Sequence, residues 1–253
     1  MDDLHILADA NIPCVGAAFE RFGTVRTLPG REMGPSDVEA ADVLLVRSVT
    51  PVGPALLHGT SLRFVGSATI GTDHVDRAYL RAQDIPFAHA PGSNADSVAD
   101  YIVAALLVVA SRRSTSLRGR TVGIVGCGNI GGRLAHRLSG LGLTVLQNDP
   151  PRAREAEAEG QAHDFVGLST VLARADIVTL HVPLTMDGPD PTHHLANDAF
   201  FGRLNDGAWF FNSSRGSVVD GEALRTARAT GPVSAAGLDV WENEPVPDPA
   251  LVD

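Results

Sequence analysis

Two parallel-sheet α/β domains are what this sequence predicts, and three observations predict them. Short apolar runs alternate with helix-like stretches over residues 4–90. A glycine-rich turn, Gly126-Cys127-Gly128-Asn129-Ile130-Gly131, stands between an apolar run and a helical pattern. After Asp149 the alternation resumes, with further apolar runs that each end in a polar cluster.

The composition agrees. A chain of 253 residues with 44% hydrophobic and 20% charged side chains has the make-up of a globular protein of one large or two smaller domains. A net charge of −10 argues against non-specific binding to nucleic acid or to an anionic membrane. The start is acidic, without a basic stretch leading into an apolar one, so no secretory signal is expected. The longest apolar run, residues 102–110, is too short to span a bilayer. The two cysteines, Cys14 and Cys127, read as buried free thiols of a reducing compartment, and the cytoplasm is the expected location.

Taken in order, Leu4-His5-Ile6-Leu7-Ala8 is the first expected strand, ending at Asp9, with a short helix to Phe22 stopped by Gly23. Val43-Leu44-Leu45-Val46 is a buried-strand run with Arg47-Ser48-Val49-Thr50 at its end. Phe64-Val65-Gly66-Ser67-Ala68 leads to Thr69, and Phe87-Ala88-His89-Ala90 closes the first domain, residues 1–93. Residues 95–112 form a long apolar helix through Val98, Tyr101, Ile102, Ala105, Leu106 and Val109, opening the second domain, residues 94–253. Within it, residues 153–160 read as a solvated acidic helix. The runs ending at His181-Val182, at Asn212-Ser213-Ser214-Arg215 and at Asp239 are strands. Ligands in open α/β sheets collect beyond the carboxyl ends of strands, where all these polar clusters fall.

The glycine turn carries the most specific chemistry. Val122-Gly123-Ile124-Val125 precedes it, a helical pattern follows it, and a second run ends at Asp149. Gly126 makes the tight turn, Gly128 lets backbone approach a pyrophosphate, and Gly131 lets the helix pack on the strand. The helix start at Asn129 and Ile130 offers free N–H groups and partial positive charge to phosphates. Asp149 is placed to accept the adenosine ribose hydroxyls. These features predict a Rossmann dinucleotide site. Asp149 would repel a 2′-phosphate, which favours NAD over NADP, with nearby Arg152 as the counterweight.

Arg215 follows a buried strand and precedes Gly216, a costly place for a cation unless an anion meets it. Its guanidinium suits a carboxylate held by two parallel hydrogen bonds; a structural ion pair with Asp220 is the alternative. Glu244 ends a run of acids with Asp239 and Glu242. A carboxylate there beside a histidine would raise its pKa and fix its tautomer; a solvated loop is the alternative. None of the nine histidines has metal-ligand spacing, so no metal is assigned. The adjacent His193-His194 reads as loop polarity, and His181 as a buried, backbone-bonded histidine at a strand end.

Together, Gly126-Cys-Gly-Asn-Ile-Gly131, His181-Val-Pro-Leu184, Asn212-Ser-Ser-Arg-Gly216 and Leu238-Asp-Val-Trp-Glu-Asn-Glu-Pro245 resemble the NAD-dependent D-2-hydroxyacid dehydrogenases. Asp9-Ala-Asn-Ile-Pro13, Val46-Arg-Ser-Val-Thr50, Gly71-Thr-Asp-His-Val-Asp76 and Ala90-Pro-Gly-Ser-Asn94 are similar to the branch of that family acting on 4-phospho-D-erythronate. The resemblance implies a flavodoxin-like substrate domain and a Rossmann NAD-binding domain. It implies oxidation of 4-phospho-D-erythronate at C2 during pyridoxal phosphate (vitamin B6) synthesis, by a homodimer. By the same resemblance Arg215 holds the substrate carboxylate and Glu244 pairs with a catalytic histidine. Ser48 and Thr69 contact substrate, with Arg47 near its phosphate, and Asp149, Val182 and Asp239 line the cofactor.

The family's histidine is expected just beyond the Glu-Pro motif, in a Pro-His-Ile-Ala-Gly-like segment. The sequence stops at Asp253 before any such residue, so a truncated chain that binds NAD better than it turns over substrate is expected. Two alternatives stay open: a dehydrogenase of another acid such as 3-phosphoglycerate, and an NAD-binding sensor that has lost catalysis.

Overall fold

Strand runs buried on both faces must be covered by helices on both sides, which is the physics of a parallel α/β sheet. The computed structural model describes residues 3–244, 246 and 249–252; Pro245 of the Glu-Pro motif and the terminal Asp253 lie outside the described residues. The chain divides into two compact units, Met1–Ser93 and Asn94–Asp253.

The first unit carries β1 (Leu4–Asp9), β2 (Gly23–Leu28), β3 (Val43–Val46), β4 (Phe64–Ser67) and β5 (Phe87–His89). All pair in parallel, in the order β2-β1-β3-β4-β5, which is the flavodoxin-like arrangement. Every residue of β3 is buried, as its Val-Leu-Leu-Val run requires. Strand β2 does not stand out in the sequence. It lies at the sheet edge, alternates half-buried with exposed positions and carries Thr24, Arg26 and Thr27, so it lacks an apolar run. Gly23 therefore does two things: it ends the preceding helical turn and begins this strand, where a side chain would collide with the Leu4 backbone at 2.0 Å.

The second unit carries β6 (Thr121–Val125), β7 (Thr144–Asn148), β8 (Ile177–Leu180), β9 (Ala208–Asn212) and β10 (Val233–Leu238). Their order is β10-β9-β8-β6-β7, again all parallel, a doubly wound Rossmann sheet. The single bridge Gln147↔Phe165 extends it beyond β7. Strand alternation splits the aromatic core between the two faces. Trp209 and Phe211 pack with the Ala95–Arg112 helix on one side, and Phe210 packs with Phe200 and Phe201 on the other.

The Ala95–Arg112 helix buries Ala95, Ala99, Ile102, Leu106 and Ala110, a helical stripe. Its other face is solvated, so Tyr101, expected among the apolar positions, is 44% exposed. Asp96 and Asp100 meet Arg133 and Arg137 of the Asn129–Gly140 helix at 2.8–3.2 Å, which joins this helix to the glycine-motif unit. The Pro150–Ala158 helix has no fully buried residue, in keeping with its charged sequence of two arginines and two glutamates. The two cysteines differ from expectation in one respect. Cys127 is buried, and burial pushes its thiol up to about 12. Cys14 is exposed, in a left-handed turn ahead of the Val15–Phe19 helix. Among the described residues, no helix is long and apolar enough to cross a membrane.

Candidate active site

The nucleotide motif is built by contacts that leave no room for side chains. Gly126 has φ +89°, and a Cβ there would lie 2.6 Å from the His181 carbonyl oxygen and 2.9 Å from Val182 Cγ1. The turn after β6 thus presses on the segment after β8, where the strand order reverses. A Cβ on Gly131 would lie 2.0 Å from the Gly126 carbonyl oxygen, so the helix start rests on the turn itself. A Cβ on Gly128 would meet nothing within 4 Å, which leaves the backbone there open to a ligand. Gly128, Asn129, Gly132, Arg133 and Arg152 line a cleft at the N-terminus of the Asn129–Gly140 helix. Free helix N–H groups and two guanidiniums fit a pyrophosphate.

Asp149 caps the Pro150–Ala158 helix. Its Oδ1 accepts from Arg152 N at 3.1 Å and its Oδ2 from Cys127 N at 2.8 Å. The acid that the spacing assigned to a ribose is thereby also the brace of the glycine turn. Arg152 donates to the Cys127 carbonyl and lies 5.6 Å above the Phe165 ring. Asp149→Asn keeps a side-chain acceptor for the turn but removes the charge that repels a 2′-phosphate. The NAD-over-NADP preference, read as a ratio of dissociation constants, is expected to fall about tenfold, or ~1.4 kcal/mol. An unchanged ratio would remove Asp149 from cofactor selection.

His181 is held by its ring through side-chain hydroxyls, not through backbone groups as its position at a strand end suggested. Nε2 shares a hydrogen with Thr179 Oγ1 at 2.9 Å and Nδ1 with Ser213 Oγ at 3.2 Å. Burial lowers its pKa to about 4, so the imidazole is neutral near pH 7. An unfolded chain protonates this histidine at about 6.5. Folding stability from it is therefore complete above pH 6.5 and is lost as pH falls toward 4, by up to about 3 kcal/mol. Urea denaturation is expected to show that loss in the wild type and not in His181→Gln; parallel pH profiles would refute it.

Arg215 sits half-buried just beyond β9. Asn212 shapes its loop: Oδ1 accepts from Ser214 N at 3.0 Å and Ser214 Oγ at 2.7 Å, while Nδ2 donates to Arg215 O at 2.9 Å. Arg215 Nη1 donates to Ser214 O at 2.7 Å. Gly216 touches the segment after β10, where a Cβ would meet the Trp241 carbonyl at 2.0 Å. That segment carries Asp239, just past the end of β10, and Glu244, whose exposed carboxylate accepts from Trp241 N at 3.2 Å. Burial, and then the Glu244 charge, raise the Asp239 pKa.

In the first unit the strand register sets the polar cluster. Val46 of β3 pairs with Ser67 of β4, so Ser48 and Thr69 each stand two residues past paired strand ends. Thr69 Oγ1 meets Ser67 Oγ at 2.8 Å, and Ser67 Oγ meets His74 Nε2 at 3.1 Å. Arg47 is half-buried in the same turn, closed by Thr50 N donating to Arg47 O at 3.2 Å. Asp9 ends β1, beside β3 at this sheet's own reversal of strand order, and is fully buried. Its Oδ1 accepts from Asn11 N, while Oδ2 is buried without a hydrogen-bond partner among the described residues. Gly30 lies against it, with room for no Cβ. The sequence marks Asp9 as a strand end; nothing local reveals that its carboxylate is buried.

Comparison with known proteins agrees with this geometry. A protein of Salinibacter ruber (strain DSM 13855 / M31) named erythronate-4-phosphate dehydrogenase is 74% identical over 253 residues, all of this chain and 64% of the relative. One of the same name from Azotobacter vinelandii (strain DJ / ATCC BAA-1303) is 50% identical over 248 residues, again 64% of its length. The chain thus spans 64% of these relatives. The TT0316 protein from Thermus thermophilus superposes with a TM-score of 0.83 at 29% identity, over 97% of this chain and 85% of that one. D-lactate dehydrogenase from Aquifex aeolicus, complexed with NAD and lactic acid, superposes with a TM-score of 0.79 at 25% identity, over 94% and 77%. Residues 107–253 match the family described as D-isomer specific 2-hydroxyacid dehydrogenase, NAD binding domain. With the glycine turn, its capping acid and the open helix start all in that segment, the chain belongs to the D-isomer specific 2-hydroxyacid dehydrogenase family and carries its NAD-binding domain.

Proposed function

We propose that this protein oxidises 4-phospho-D-erythronate at C2 to (3R)-3-hydroxy-2-oxo-4-phosphobutanoate, a step toward pyridoxal 5′-phosphate, as a cytoplasmic homodimer. The observation that carries this reading is the 74% identity, extending through all 253 residues, to the relative named for that substrate. The Arg215 guanidinium suits the carboxylate of a 2-hydroxy acid.

When bound, NAD supplies the hydride acceptor. Gly126, Gly128, Asn129, Ile130 and Gly131 would hold its pyrophosphate and Asp149 its ribose, while Val182 and Asp239 would line the cofactor, Asp239 near the nicotinamide end. Arg215 grips the substrate carboxylate through two parallel N–H bonds and so orients C2. Ser48 and Thr69 donate to the substrate, and Arg47 meets its phosphate. Glu244 orients the family's histidine and raises its basicity, which lets that base take the C2 hydroxyl proton. Removal of the hydroxyl proton would have to coincide with oxidation at C2, so the contribution of Arg215 and Glu244 is to hold substrate and base in position together.

The test is NADH formation by the protein expressed from its native gene, with its intact mass measured alongside. Turnover is expected with 4-phospho-D-erythronate and little with 3-phosphoglycerate. Equal rates would point to another acid. NAD binding without turnover of any acid would favour a sensor.

A further inference from the structure

We propose that His193, His194 and Glu242 form a binding site for a divalent transition ion of the zinc type, separate from the nucleotide motif. Spacing along the chain hides this site, because His194 and Glu242 are 48 residues apart. The fold brings them together. The pair lies just before the bridge Ala196↔Val219, and Glu242 lies in the turn after β10. One ligand atom from each residue falls within 4.8 Å of the others. A tetrahedral zinc with bonds of ~2.0–2.2 Å spaces its ligands ~3.3 Å apart. Seating an ion takes side-chain rotation of three groups that are exposed or half-buried, with Glu242 opening from His194 and His193 closing in.

Three contacts support the assignment. His194 Nε2 and Glu242 Oε1 are hydrogen-bonded at 2.5 Å, so a nitrogen and a carboxylate oxygen already share one proton that an ion would displace. The His193 ring stacks on His194 with centroids 4.1 Å apart and planes 17° apart, which keeps the second imidazole beside the first. Asp220 Oδ2 stands 3.9 Å from Nδ1, the opposite nitrogen of His194. Asp220 is itself fixed, since its Oδ1 caps the Gly221–Ala229 helix through Glu222 N and Ala223 N. A carboxylate that accepts from the far nitrogen is the usual orienting partner of a metal-bound histidine, and Asp220 would need to come about 1 Å closer to do so. Two imidazoles and one carboxylate suit zinc, nickel or copper rather than magnesium or calcium, which take oxygen ligands.

A bound ion would tie the segment after β10 to the His193-His194 segment. That would hold Glu242 still, two residues before Glu244 and against Gly216, the neighbour of Arg215. This consequence rests on the proposed function; ion binding does not.

Zinc chloride titrated into chelator-treated protein, followed by calorimetry, is the test. One equivalent is expected to bind with a Kd on the order of 10 μM. His193→Ala, His194→Asn and Glu242→Gln are each expected to weaken it about tenfold or more. Asparagine tolerates the left-handed backbone at position 194, where φ is 48°, and unchanged NAD binding in each variant reports an intact fold. Cobalt substitution should give a visible absorption band that the same variants lose. No zinc binding, or binding that all three substitutions leave unchanged because other histidines carry it, would overturn the proposal.

Discussion

Arg215→Ala is expected to lower kcat/KM for the 2-hydroxy acid by about 100-fold or more, while the NAD dissociation constant stays within about twofold. The magnitude follows from the carboxylate that loses its partner. Truncating one member of a partly buried, hydrogen-bonded charge pair costs ~2–5 kcal/mol, and ~1.4 kcal/mol is a factor of ten. Asn212, 1% exposed, fixes the loop through three hydrogen bonds, so the guanidinium is held ready rather than ordered by the ligand. Arg215→Lys keeps the charge but not the planar fork, and should recover only part of the loss. Steady-state kinetics on the protein from its native gene separate the possibilities. Wild-type turnover in Arg215→Ala would end the carboxylate-clamp role. A matching loss of NAD affinity would instead mean the substitution disturbs the nucleotide motif.

Gly131→Ala should be as damaging by a different route. The added methyl would stand 2.0 Å from the Gly126 carbonyl oxygen and 3.1 Å from Ile124 Cγ2. A backbone oxygen cannot swing aside, so the helix must back away from the turn that Gly126 and Cys127 form. Overpacking at such a site costs ~1–3 kcal/mol of stability, and the displaced helix start withdraws the N–H groups that meet phosphate. NAD affinity is expected to fall roughly 100-fold, since ~2.7 kcal/mol is two decades. Gly140→Ala is the control. It lies at the other end of the same helix with nothing within 4 Å of a Cβ, and alanine there should be neutral or stabilising by up to ~1 kcal/mol. Equal NAD affinity in the wild type and Gly131→Ala, by fluorescence titration, would refute the packing argument.

Both positions could be named before any coordinates, because each depends on something local. Gly131 follows from a spacing rule, and Arg215 from a cation placed after a run too apolar to be solvated. Most strands were open to the same reading: β3 and β9 are apolar runs because each lies in a sheet covered on both faces. Strand β2 escaped it because an edge strand needs no such run. The two cysteines looked alike, and only the left-handed turn at Cys14 and the packed glycine loop at Cys127 set them apart.

The sequence by itself determined the two parallel-sheet units, the nucleotide motif with its acid, and the strand ends where polar residues gather. Those follow from periodicity and from the steric demands of single residues, which act over a few positions. Tertiary structure alone decided which polar groups meet. Asp149 reaches back to Cys127, His181 shares a hydrogen with Ser213, Ser67 bridges Thr69 and His74, and Glu242 comes to His194. Most of these pairs are far apart in sequence, and each is joined through strand register and loop path. No local pattern encodes a meeting that two distant backbones must be folded together to make.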